Sequence, residues 1–100
     1  MSEDVKLSHT AALILASIGA GCLYGFDIME STGLPSGTVY PALRRLEQME
    51  LIQSRWEKEG RALAEQRPAR KYYKLTAAGT RAWRQAVERY PLLQHVKENV

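Results

Sequence analysis

Ser36, Gly37, Thr38 and Tyr40 gather hydroxyls and lightly shielded backbone amides within five positions, and Arg44 and Arg45 follow one turn later. At the start of a helix this set suits anion binding, because the first backbone N–H groups lack helical partners and the helix dipole attracts negative charge. The two guanidiniums extend it, since arginine reaches phosphate or a guanine edge. A plainer reading stands beside it: Ser36 and Thr38 cap the helix and Tyr40 packs on a neighbour, and capping and anion contact coexist in one serine. Arg44 and Arg45 are consecutive and point differently. One is expected to touch a polyanion and the other to pair with Glu47 or Glu50; the sequence leaves open which.

A second cationic group comprises Lys58, Arg61, Arg67, Arg70 and Lys71, interleaved with Glu57, Glu59 and Glu65. Arg67 and Arg70 flank Pro68, which stiffens the chain, so these two are the preferred phosphate contacts with Lys71 beside them; solvation is the plainer fate of loop charges. The net charge is +3, and its distribution is uneven. Lysines and arginines number 1 against 4 acidic residues over 1–34, 9 against 5 over 35–74, and 4 against 2 over 75–100. A basic excess in the middle of the chain suits DNA.

Other chemistry is poorly supported. His9 and His95 lie near opposite ends, no histidine neighbours Cys22, and neither a glycine-rich phosphate loop nor a metal-ligand cluster is present, so no enzyme, cofactor or metal is expected. Cys22, the sole cysteine, reads as a small packed hydrophobe and fits a reducing cytoplasm. The apolar Ala11–Ala16 run follows acidic Glu3 and Asp4, unlike a signal peptide, and is too short to cross a bilayer.

The elements that must position these groups follow from periodicity. Ser8 precedes a buried apolar helix that the glycines at 19 and 21 stop, and Tyr24–Glu30 forms a second helix closed by a tight turn at Ser31-Thr32-Gly33. A third helix begins at Ser36 or Gly37, with Val39, Ala42, Leu43, Leu46 and Met49 on one face and Pro41 within about one turn of the start, where proline is tolerated. From Leu51 the period becomes two: Ile52, Ser54, Trp56 and Lys58 share a face, and a second strand covers Arg70–Leu75. The polar stretch 59–68 between them reads as a long mobile hairpin tip, and alternation turns Trp56 and Tyr73 toward the core. Thr76 caps a last helix whose Trp83, Ala86, Val87 and Tyr90 form one apolar face, ended or bent at Pro91. Beyond it Leu92, Leu93, Val96 and Val100 form a weaker stripe. The order matches an α+β, mainly α, winged helix-turn-helix with a two-stranded antiparallel wing: residues 1–75 form the DNA-binding part and 76–100 a C-terminal helix of the same domain, to which the resemblance described next assigns dimerisation.

Gly37-Thr38-Val39-Tyr40-Pro41-Ala42-Leu43-Arg44-Arg45-Leu46-Glu47, then Leu51-Ile52, Trp56, Arg67-Pro68-Ala69-Arg70-Lys71-Tyr72-Tyr73 and Leu75-Thr76-Ala77-Ala78-Gly79, together with Tyr24-Gly25-Phe26-Asp27-Ile28, resemble the PadR family of transcriptional regulators. The likeness spans roughly residues 10–90 with several motifs in order. It implies a homodimer, usually a repressor, joined through its first and last helices and released from operator DNA by a small molecule. Thr38 and Tyr40 would face phosphates, Arg44 would lie near the groove, Arg67 to Lys71 would form the wing contact, and Trp83, Val87 and Tyr90 would face the other subunit. In compact family members a flat aromatic effector sits between subunits, where Trp83 would offer a stacking surface; interface packing is the simpler role for that ring. Glu50 stands where the family commonly has glycine, so a residue poorly suited to left-handed geometry must close the third helix. A winged-helix module that binds protein rather than DNA is the competing reading.

Overall fold

The computed structural model describes residues 7–89. Ser8 Oγ accepts the Ala11 N–H at 3.0 Å and so starts α1 (His9–Gly19). Ala12, Ile14, Leu15, Ala16, Ser17 and Ile18 are all buried, and α1 is the central post of the domain, packed against three other helices and the sheet. Cys22 is half-buried against this core.

Gly33, at φ 75°, ends α2 (Gly25–Thr32). Thr32 Oγ1 donates to the Ile28 carbonyl at 2.7 Å and accepts the Leu34 N–H at 3.1 Å, which locks the turn into α3 (Ser36–Gln48). Pro35 occupies the N-cap of α3 without any side-chain cap bond, so Ser36 is the first helical residue and not the cap. Val39, Leu43 and Leu46 are buried at helical spacing. Pro41 is the sixth residue of α3, a second-turn position beyond the one expected, and the helix runs through it to Gln48.

The end of α3 carries the departure visible at Glu50, which stands at φ 63°. The Glu50 and Leu51 N–H groups donate back to the Glu47 and Leu46 carbonyls at 2.9 and 3.0 Å, the pattern that usually employs glycine. Thr76 clamps this corner. Its Oγ1 donates to the Glu50 carbonyl at 2.7 Å and accepts the Gly79 N–H at 3.0 Å, and its own N–H reaches the Leu51 carbonyl at 3.0 Å. A Cβ on Gly79 would run into the Leu51 carbonyl, so α5 (Ala77–Arg89) approaches the corner as closely as backbone allows.

The hairpin pairs β1 (Ile52–Trp56) with β2 (Lys71–Leu75), antiparallel, with Ile52 opposite Leu75, Ser54 opposite Tyr73 and Trp56 opposite Lys71. Ile52 and Tyr73 are buried, whereas Trp56 is 63% exposed. This corrects the inward placement expected for Trp56. The alternation holds, but the core-facing row outruns the body of the domain at Trp56, two residues beyond Ser54, where the ring borders an open concavity instead of the core. The tip also differs from the expected mobile loop, because Glu59–Ala64 forms a short helix, α4.

One contact had no counterpart in the periodicity. The Tyr73 N–H donates to the Leu23 carbonyl at 2.7 Å, and Tyr24 forms a bridge with Tyr72, so the segment before α2 lines the outer edge of β2. On α5, Ala82 and Ala86 are buried while Trp83 and Val87 pack half-buried on the core. The six-membered edge of Trp83 lies 3.3 Å from where a Cβ on Gly19 would stand, so within one chain this ring seals α5 against α1. Tyr90, Pro91, His95 and the apolar stripe beyond Pro91 fall outside the described residues.

Candidate nucleic-acid interface

Tyr40 and Arg44 of α3 and Arg70 and Lys71 of the hairpin border one open concavity of about 740 Å³, with Trp56 and Phe26 at its rim. Tyr40 is held by close approach. A Cβ on Gly25 would collide with its phenol, so glycine at the first residue of α2 lets the ring lie over that helix start. Arg44 is exposed on α3, and among the described residues neither it nor Arg45 makes an ion pair. The pairing expected between one of these arginines and Glu47 or Glu50 therefore does not form. Glu47 turns to the hairpin, accepting from Ser54 Oγ and lying 4.0 Å from Lys71 Nζ.

The hairpin cations are oriented by aromatic rings. The Arg70 guanidinium lies 4.3 Å from the centroid of Tyr24, which meets Tyr72 edge-on at 5.7 Å. Lys71 Nζ stands 5.7 Å from the Trp56 ring. A cation over a ring retains its charge while losing much of its freedom, so both are poised for an anion at little entropic cost.

Arg67 departs from the other wing cations. Its Nη2 and Nη1 donate to Glu57 Oε2 and Oε1 at 2.6 and 2.7 Å, and its Nε donates to Glu65 at 2.8 Å. The Glu57 side chain is 2% exposed and that of Arg67 17%. Arg67 also lines the concavity, so the cation that the sequence offers to phosphate is at the same time the outer half of a fork whose inner half is Glu57. Glu57 also accepts the Arg70 N–H at 3.2 Å and faces Tyr72 Oη at 3.4 Å. The Arg67 bonds, aided by the Arg70 N–H and Tyr72 against the opposing effect of burial, hold the Glu57 carboxyl down at about 2. Glu57 was read only as part of the wing charge; a carboxylate ten residues from Arg67 across a hairpin gives no periodic signal.

The remaining residues sit elsewhere. Thr38 and Arg45 border a separate concavity of about 430 Å³ beside Ser8 and Thr10 at the start of α1, on the far flank of α3. Ser36 is exposed at the first residue of α3 and joins neither group. Val87 and Trp83 lie on α5, away from both concavities. Among the described residues no cluster of histidine, cysteine and carboxylate side chains could hold a metal ion, and no helix is long and apolar enough to cross a membrane.

A helix-turn-helix followed by a hairpin, with hydroxyl and cationic groups shared between third helix and hairpin, defines the winged-helix class of transcription regulators. Residues 14–85 match the family model of the transcriptional regulator PadR-like family, and the chain belongs to that family. Among solved structures it is similar to a PadR-like transcription factor from Bacteroides fragilis, with 26% identity, a TM-score of 0.68 and coverage of 89% of this chain and 86% of the other. It is similar also to a PadR family transcription regulator from Clostridium difficile, with 26% identity, a TM-score of 0.72 and coverage of 92% and 97%. A transcriptional regulator from Clostridium thermocellum shares 25% identity at a TM-score of 0.69, over 99% of this chain and 96% of the other. No curated protein matches in sequence.

Proposed function

We propose that this regulator is a sequence-specific repressor that binds operator DNA as a homodimer in the cytoplasm and is released by a small aromatic effector. The observation that carries the DNA reading is the single concavity on which Tyr40, Arg44, Arg70 and Lys71 converge from two elements. A duplex requires cations on one surface, and a protein-binding winged helix has no need to gather them. Arg44 lies on the hairpin side of α3 with the wing cations, whereas Arg45 lies on the opposite flank, so Arg44 is the groove contact and Arg45 at most a backbone contact. Arg70 and Lys71 supply the wing contact, Ser36 and Thr38 bind phosphate at the helix start, and Arg67 fixes the shape of the wing.

Dimerisation through α1 and the C-terminal helix, including Tyr90, and an effector seated near Trp83 rest on kinship with the family. Trp83 is packed within its own chain, so an effector would meet its remaining exposed edge. Fluorescence anisotropy on labelled DNA from the gene's upstream region, with random duplex as competitor, tests the reading. Binding that survives competitor at moderate salt supports an operator-binding regulator; binding equal to that of random duplex favours the protein-interaction alternative.

A further inference from the structure

The surface of α3 farthest from the core is small where a reading helix is usually bulky. Val39, Leu43 and Leu46 mark the buried side; opposite them, at spacings of four, three and four, stand Gly37, Pro41, Arg44 and Gln48, all exposed. A Cβ on Gly37 would have nothing within 4 Å, so glycine is not required there by packing inside the chain. Pro41 stands four residues after Gly37 and has no N–H, so the amide that would close on the Gly37 carbonyl is missing, and the proline ring presses that carbonyl away from the helix axis. Proline at this second-turn position weakens the helix. The outcome is a main-chain acceptor on the outermost stripe that lacks its usual amide from position 41, at a residue with no side chain of its own and with Arg44 about two turns further along the same stripe.

We infer that the Gly37 carbonyl is a base-reading group, accepting a hydrogen bond from the amino group of adenine or cytosine in the major groove. Those bases present N6 and N4 donors there, whereas guanine and thymine present oxygen acceptors that would repel a carbonyl. Glycine lets the backbone come within bonding range, and Pro41 removes the amide that would otherwise compete with the base for the carbonyl. The inference rests on the DNA reading proposed above.

Selection from a pool of random-sequence duplexes, run in parallel with the natural protein and with Pro41→Ala, tests it. Pro41→Ala restores the missing amide, so thermal unfolding by circular dichroism should move upward and establish that the variant folds. The natural protein should enrich a motif with one position per half-site restricted to adenine or cytosine on one strand. Pro41→Ala should enrich the same motif with that position relaxed about tenfold while binding random duplex equally well. Gly37→Ala, which lifts the helix off the groove, should weaken selected duplexes more than random ones. Identical motifs from the natural protein and Pro41→Ala, or a loss spread evenly over all positions, would overturn the inference while leaving operator binding intact. Failure of the natural protein to enrich any motif would sink sequence-specific binding itself, and the inference with it.

Discussion

Glu50 shows how one side chain records a compromise in the backbone. The corner between α3 and β1 needs a left-handed residue, and Glu50 supplies it at φ 63° under the clamp of Thr76. Non-glycine residues bear a cost there that glycine avoids, partly offset by the greater freedom of glycine in the unfolded chain. Glu50→Gly should therefore raise stability to urea by about 0.5 to 1 kcal/mol; a drop would mean that the carboxylate makes a favourable interaction of its own. Gly79 marks the opposite case. Gly79→Ala drives a methyl into the Leu51 carbonyl, so it should destabilise by about 3 kcal/mol or prevent folding, read from the same urea transition. The glutamate was visible in the sequence as an anomaly. The glycine was not, because its necessity arises from a carbonyl 28 positions earlier in the chain.

Among elements, the hairpin tests what patterning can and cannot disclose. Its strands, register face and antiparallel pairing follow from period-two alternation, whereas α4 and the Arg67–Glu57 fork come from contacts that no period encodes. The fork makes the wing acid-sensitive with a definite sign. Because the folded Glu57 carboxyl is depressed from its ordinary 4.5 to about 2, its contribution to stability is fully present above pH 4.5 and is lost as pH falls through that interval toward 2. Thermal midpoints of the natural protein should fall more steeply over this window than those of Glu57→Gln, and parallel curves would contradict the assignment. Arg67→Ala should expose the segment around α4 to trypsin at neutral pH, a digestion that Arg67→Lys should restrain only partly because lysine lacks the two-pronged donor set.

Considered whole, the molecule divides into surfaces legible from its residues and one that is not. The helix order and the basic middle third were evident because helix punctuation and charge are local properties. Which of two adjacent arginines shares a face with the wing depends on how the hairpin folds back, and only the three-dimensional arrangement separates Arg44 from Arg45. Salt dependence then reports on assembly. Each lost phosphate contact lowers the slope of log affinity against log salt by about 0.9, so Arg70→Ala should lower it by about 0.9 if one subunit binds and by about 1.8 if a two-fold pair does. An unchanged slope would remove Arg70 from the interface.

The strap formed by Leu23 and Tyr24 along β2 also bears on how such a chain tolerates changes of length. Residues added between α1 and α2 would dislodge the Leu23 carbonyl from Tyr73 and the Tyr24 ring from beneath Arg70, unseating the wing from its base. At the far end Leu63 is 75% exposed on a six-residue helix, where an insertion would disturb little of the core. Relatives that differ in size should accordingly vary at the wing tip and keep a fixed count between the first two helices, and a peptide tag or dye grafted at Leu63 should leave the domain intact.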